Sequence, residues 1–318
     1  MEIKEIKDSK QFGRIGVLMG GASSEREISL KSGKAVFEAL KQAGFDAISI
    51  DIKSDDHNEN AILLKYLKLD CAFLALHGRF GEDGQIQHIL DKIKLRYTGS
   101  GALASKIAMD KVSSHEVFRR ASLLAPDYCV LEKKSWQLNL NKCKKLGLPL
   151  VIKPAAQGSS IGLSIIDDWD DLNKALEIAF QFDERVIAEE YIKGRELTVG
   201  ILGESALPVI EIIPKNKFFD FEAKYQVGLT EYKIPAELEP DVAGKVKTAA
   251  LRAHKLLGCF GCSRVDLMLN SENIPFVLEV NTIPGMTATS LLPKAAKITG
   301  LEFNELCFEL IKLAYEKK

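Results

Sequence analysis

The sequence predicts an α/β chain of more than one domain that opens with a Rossmann-like unit. Three observations predict it. Strand and helix patterns alternate through the first third of the chain. One of those strands, Cys71 to Leu76, is apolar throughout, as expected of a parallel strand covered on both faces. The last third carries instead a hairpin pattern, with apolar runs separated by a short polar turn. A length of 318 residues accommodates two or three such domains.

In order, Arg14 to Met19 reads as an apolar strand ending at Gly20-Gly21. Ser24 with Glu27 forms a capping-box pattern for a helix reaching about Ala43, and Gly44 supplies its stop. Phe45 to Ile52 is the next strand. No G-x-x-x-x-G-K-[ST] occurs, and Gly99-Ser-Gly101 continues to Ala104 rather than to glycine, so neither the P-loop nor the dinucleotide fingerprint is present. In an open parallel sheet the binding crevice lies at the carboxyl ends of the strands, where Gly20, Gly21, Glu25 and His77 fall. An acid in the first helical turn is already accounted for by the helix dipole, so Glu25 taken alone needs no ligand. His77 opens the run HGRFGEDG, whose glycines let backbone approach a small molecule closely, and that context favours a functional histidine.

A second unit begins near Ser100, with helical stretches to about Ala121 that include Lys111, then a strand from Asp127 to Leu131. Leu150 to Lys153 is a strand ending in lysine. It runs into Pro154-Ala-Ala-Gln-Gly-Ser-Ser-Ile-Gly162 and returns as a strand from Leu163 to Ile166. A Gly/Ser loop between antiparallel strands lays N–H and hydroxyl donors over phosphates, and Lys153 and Lys111 add charge. Asp168 to Phe182 is an amphipathic helix, and Val186 to Ile192 a strand carrying Glu189 and Glu190. A further strand follows Gly194, and on it Glu196 suits a pair of ribose hydroxyls.

In the last third, Cys262 to Leu269, a turn at Asn270 to Asn273, and Ile274 to Val280 predict a hairpin. Asp266, Glu279 and Asn281 then converge on one side, with Arg264 close by. Two carboxylates and an amide suit magnesium, which prefers oxygen ligands and leaves positions for substrate phosphates and water. A guanidinium beside them meets developing negative charge.

Composition excludes several classes. Lys and Arg number 43 against 44 Asp and Glu, spread evenly, which gives no electrostatic case for nucleic-acid binding. The start, MEIKEIKDSK, lacks an apolar core, so neither a signal peptide nor a membrane span is expected, and a cytoplasmic location follows. The six cysteines do not form a disulfide framework. Cys259 and Cys262 make a CxxC, but no second pair completes a zinc site, and a helix end followed by a strand start accounts for them.

Seven collinear motifs carry a resemblance that spans about Arg14 to Ala314: GGASSEREISLKSG (Gly20 to Gly33), ALHGRFGEDG (Ala75 to Gly84), YTGSGALASKIAMDK (Tyr97 to Lys111), VIKPAAQGSSIG (Val151 to Gly162), EAKY (Glu222 to Tyr225), GCSRVDLML (Gly261 to Leu269) and LEVNTIPGMTATSL (Leu278 to Leu291). With these the chain resembles the D-alanine:D-alanine ligases of the ATP-grasp superfamily. The resemblance implies a Rossmann-like N-terminal substrate domain (1–100), then central (101–188) and C-terminal (189–318) α+β subdomains that clasp ATP. It implies ATP-dependent joining of two D-alanine molecules through a D-alanyl phosphate, for peptidoglycan synthesis. It also implies a homodimer and two magnesium ions, for which manganese can substitute.

By the same resemblance, Glu25, Ser159, Tyr225, Arg264, Gly285 and Ser290 are the expected catalytic set. Lys111, Lys153, Ser160, Glu189, Ile192, Glu196 and Lys224 are expected on ATP. Glu25, His77, Arg264, Gly285, Ser290 and the backbone amide of Leu291 are expected on D-alanine, and Asp266, Glu279 and Asn281 on the metal. A ligase using D-lactate in the second subsite is the alternative within the superfamily, and Tyr225 argues against it. A nucleotide-binding regulator without catalysis is the alternative outside it.

Overall fold

The computed structural model describes residues 9–214 and 230–317. Lys224 and Tyr225 lie outside the described residues, as does the motif EAKY that contains them.

Three sheets organise these residues. The first has the order β2-β1-β3-β4, with β1 at Arg14–Gly20, β2 at Asp46–Ile52, β3 at Cys71–Leu74 and β4 at Arg96–Tyr97, all parallel. Every residue of β3 is buried, the reason its sequence shows no polar alternation. It stops at Leu74, two residues before the expected end, and Ala75 and Leu76 continue as buried irregular chain into His77.

The first helix, Arg26–Gln42, does not begin with the expected capping box. Its N-cap is Glu25, without a side-chain cap. Ser24 is exposed, and the neighbouring Ser23 hydroxyl is the one engaged: it donates to the His77 carbonyl at 2.7 Å and accepts from Glu25 N at 3.2 Å. The stop at Gly44 is as expected. Its φ of +86° is the left-handed conformation that glycine adopts without strain, and Phe45 N returns to the Leu40 carbonyl.

The second sheet is antiparallel, order β5-β8-β6-β7, formed by β5 (Tyr128–Glu132), β6 (Leu150–Pro154), β7 (Ser164–Ile166) and β8 (Arg185–Glu190). The expected helix from Asp168 to Phe182 is shorter: a 3-10 turn at Trp169–Asp171 leads into an α-helix at Leu172–Ala179. The Asp168 carboxylate accepts from Asp170 N and holds that opening turn. β8 ends at Glu190, so Ile192 sits in the connection to the next strand.

The third sheet is also antiparallel, order β11-β10-β9-β12-β13: β9 (Gly194–Leu202), β10 (Ser205–Pro214), β11 (Thr230–Lys233), β12 (Cys262–Asn270) and β13 (Pro275–Asn281). Helix Pro240–Leu256 covers one face, with Val246, Ala250 and Ala253 packed on Val199, Val265 and Val277. The expected hairpin of β12 and β13 is present, with one irregularity. Asp266 faces Glu279, but Leu267 faces Val277, so Leu278 is the extra residue of a β-bulge.

The C-terminal helix, Phe303–Glu316, returns to the first unit. Leu306, Leu310 and Ile311 pack with Ile15, Val17 and Phe73, and the Tyr315 ring stands edge-on to Phe12 at 5.0 Å. Among the described residues no helix is long and apolar enough to cross a membrane.

Candidate active site

Two neighbouring cavities lie where the three sheets meet. The first, about 440 Å³, is lined by Glu25 and His77 from the first unit, Ser159 from the glycine loop, and Arg264, Gly285, Ser290 and Leu291 from the last unit. The second, about 370 Å³, is lined by Lys153, Ser160, Glu189, Ile192, Glu196 and Asp266 among others. Lys111 and Glu279 line both. Their ion pair, 3.3 Å between Lys111 Nζ and Glu279 Oε2, stands at the junction.

In the first cavity the Glu25 carboxylate is buried, and the Ser159 hydroxyl donates to it across 134 residues of sequence. Two glycines make room for it. A Cβ on Gly78, whose φ is +72°, would fall 2.6 Å from Glu25 Oε2, and one on Gly158 would fall 3.3 Å away. His77 is buried beside it, its Nε2 3.0 Å from the Ser32 hydroxyl and its Nδ1 3.4 Å from Glu82 Oε1. Glu82 also accepts from Gly78 N, so the run HGRFGEDG folds onto its own acid.

Gly20 and Gly21, expected at the crevice, shape the turn instead. Both have positive φ, and the Arg26 guanidinium donates to the carbonyls of Gly21 and Ile52 where a Gly20 side chain would intrude.

At the far wall, Gly285 leaves no room for a side chain, since a Cβ there would lie 2.9 Å from Ser290 Oγ. Ser290 is the N-cap of helix Leu291–Ile298, but its hydroxyl turns back to accept from Thr287 N at 3.1 Å rather than capping the helix. The Leu291 amide is thereby the first of the helix's N–H groups, which have no partner within the helix and favour an anion.

The acidic hairpin brings its residues together as expected. Asp266 opposes Glu279 and Arg264 opposes Asn281 across β12 and β13. Arg264 Nε and Nη2 donate to Asp266 Oδ1 and Oδ2 at 2.9 and 2.8 Å, and the Thr198 hydroxyl donates to Oδ1 at 2.6 Å. Asn281 Oδ1 accepts from Ile283 N at 2.9 Å, which leaves one lone pair of that oxygen. No group of three or more His, Cys, Asp or Glu side chains is placed to hold a metal ion by itself among the described residues. The donor set is two carboxylates and one amide oxygen, hard ligands that suit magnesium completed by phosphate and water rather than a closed protein cage.

In the second cavity, Lys153 Nζ is held 2.7 Å from Glu189 Oε2, with both side chains almost fully buried. Glu189 was expected to face the nucleotide. It lines this cavity, with its carboxylate paired to Lys153 and its second oxygen 3.6 Å from His115 Nε2. Burial pushes His115 below the usual histidine range, so the ring is neutral near pH 7. Lys111 Nζ also donates to the Gln157 carbonyl at 2.7 Å and so touches the glycine loop.

Sequence reasoning did not single out Ser32, Glu82, His115, Thr198 or Tyr232. Ser32 and Glu82 lie inside motifs already quoted and were within reach of inspection. His115 and Thr198 have no local signal, because their partners are distant in sequence. Tyr232 lines the first cavity, with the Lys294 ammonium 4.7 Å from its ring centre.

The family profile described as "D-ala D-ala ligase C-terminus" matches residues 117–312, and "D-ala D-ala ligase N-terminus" matches 14–61 and 56–100. A D-alanine–D-alanine ligase of Trichlorobacter lovleyi is 46% identical over 94% of each chain. That of Pelotomaculum thermopropionicum is 44% identical over 95% of this chain and 97% of the relative. The crystal structure of the Bacillus anthracis D-alanine–D-alanine ligase superposes with a TM-score of 0.86 at 39% identity, covering 95% of this chain and 97% of that one. A Bacillus anthracis D-alanine–D-alanine ligase complexed with ATP gives 0.85 at 36% identity, with the same coverage. The fold is thus that of an ATP-grasp ligase. Within that class, the chain belongs to the D-alanine–D-alanine ligase family.

Proposed function

We propose that this protein joins two D-alanine molecules with ATP, giving D-alanyl-D-alanine, ADP and phosphate for peptidoglycan precursors. The observation that carries the reading is the pair of cavities meeting at Lys111 and Glu279. One is lined by carboxylate, guanidinium and a helix N-terminus, as a zwitterion requires, and the other by buried lysine and a glycine loop, as a nucleotide requires.

Glu25, backed by Ser159, would take the ammonium of the first D-alanine, and its carboxylate would then lie toward Arg264 and the junction. Phosphoryl transfer between two anions is limited by charge repulsion, so Lys111 and Lys153 would act by neutralising and aligning the phosphates, Lys153 as a charge fixed by Glu189. Asp266, Glu279 and Asn281 would hold magnesium, which when bound neutralises phosphate oxygens.

The carboxylate oxygen attacks the γ-phosphorus, the bond to the β-phosphate oxygen breaks, and ADP leaves. The second D-alanine, its carboxylate at Ser290 and the Leu291 amide, would give up an ammonium proton to solvent and attack the acyl carbon with the freed lone pair. Arg264 and Gly285 N–H would stabilise the tetrahedral oxyanion until the carbon–oxygen bond to phosphate breaks. Ser160, Ile192 and Glu196 line the nucleotide cavity and would meet the phosphates, adenine and ribose. An ATP-dependent enzyme whose six cysteines are unpaired suits the cytoplasm, and the family suggests a homodimer.

The test is ADP release with D-alanine, L-alanine and D-lactate side by side. Turnover confined to D-alanine supports the reading. Preference for D-lactate as acceptor, or binding of ATP without turnover on any of the three, refutes it.

A further inference from the structure

We propose that His115 is a positioning residue for the bound nucleotide: it pins the β-bulge that aims Glu279 into the site against the buried Lys153–Glu189 pair. This rests on the nucleotide reading above and assigns a role to a residue that lines neither cavity.

The bulge is where the aim is set. In a regular strand, residues three apart point to opposite faces. Val277 and Val280 are three apart, yet both are buried in the core beneath helix Pro240–Leu256. The extra residue, Leu278, makes this possible, and it also turns Glu279 and Asn281 to the site face, opposite Asp266 and Arg264. Loss of the extra residue would carry Glu279 to the core face, because a shift of one position reverses a strand's sidedness.

His115 supplies the pin. Its Nε2 lies 3.1 Å from the Leu278 carbonyl, across 163 residues of sequence. It sits four residues after Lys111 on helix Lys111–Arg120, so both side chains leave the same face of that helix. Consecutive residues of β13 are thus held by one helix face: Leu278 through its carbonyl by His115, and Glu279 through its carboxylate by Lys111 at 3.3 Å. The same imidazole lies 3.6 Å from Glu189, the partner of Lys153. His115 is 1% exposed and its ring stands edge-on to Tyr128 at 5.3 Å, so it has little freedom to move.

A neutral imidazole has one N–H, and the carbonyl acceptor places it on Nε2. Nδ1 is buried without a hydrogen-bond partner. An apolar ring of similar size therefore removes the bond to Leu278 and sacrifices no other hydrogen bond.

The experiment compares His115→Phe, which fills the space without a donor, with His115→Gln, which restores an N–H near the Nε2 position. Binding of ATP with and without magnesium is measured by calorimetry, and KM for ATP and for D-alanine by turnover, on the full chain. His115→Phe should weaken magnesium–ATP binding about tenfold, the scale of one lost hydrogen bond to a buried carbonyl. It should leave KM for D-alanine within about twofold. His115→Gln should recover most of the loss. A folded His115→Phe protein with unchanged ATP affinity overturns the proposal, as does equal weakening in His115→Gln. Failure of the unaltered protein to bind ATP overturns instead the reading on which it rests.

Discussion

Lys153→Met should destabilise the central unit by about 3–5 kcal/mol, the usual cost of breaking a buried ion pair from one side. The structure places this case near the upper part of that range. The Lys153 side chain is 9% exposed and that of Glu189 2% exposed, and they meet at 2.7 Å. With the lysine gone, the remaining ion-pair neighbour of the Glu189 carboxylate among the described residues is the neutral His115, at 3.6 Å, and one carboxylate oxygen has no hydrogen bond even in the intact protein. The double variant Lys153→Met with Glu189→Leu removes both charges and leaves apolar side chains of similar size, so it should be markedly more stable than Lys153→Met alone. The assay is urea unfolding followed by tryptophan fluorescence. Both tryptophans of the chain, Trp136 and Trp169, pack against the core of the central sheet and report that unit directly. A Lys153→Met loss below about 1 kcal/mol, or a double variant no better than the sum of the single ones, would refute the claim that Lys153 is a charge held by Glu189.

Other outcomes follow from the same geometry. Glu279→Gln should abolish phosphoryl transfer and leave the fold and adenosine binding intact, since an amide cannot replace the charge; near-normal ATP turnover in the folded variant would remove the metal assignment. Gly78→Ala places a methyl about where the Glu25 carboxylate lies, 2.6 Å from Oε2, so steady-state kinetics should show KM for D-alanine raised roughly tenfold or more, with KM for ATP unchanged. His254 is buried against the Ser263 hydroxyl at 2.7 Å, and burial lowers its pKa from 6.5 to about 4. Because the folded value is the lower one, the unfolded chain takes up the proton first. The contribution to stability is complete above pH 6.5 and falls away as the pH drops toward 4, by about 3 kcal/mol at the lower end. His254→Gln should therefore lose less stability between pH 7 and pH 4.5 than the parent in urea titrations, and an equal loss would count against this origin.

Much of the framework was legible in local pattern. The apolar run of β3, the glycine stop after the first helix, and the β12–β13 hairpin are period and turn signals, which act over a few residues and need no partner elsewhere. The hairpin also made the grouping of Asp266, Glu279 and Asn281 legible, because neighbouring strands joined by a short turn have little choice of register. Where local pattern misled, a tertiary contact had won. Ser24 did not cap its helix because the bond to the His77 carbonyl draws Ser23 into the turn.

By itself the sequence indicated several of the strands, the stop of the first helix and, through its seven motifs, the family. Only the tertiary structure decided which charges hold one another. Glu25 meets Ser159 across 134 residues, and His115 meets the bulged Leu278 across 163. Such contacts form only when separate cores have packed. Their energies depend on distance and on exclusion of water, neither of which is written in any one segment of the chain.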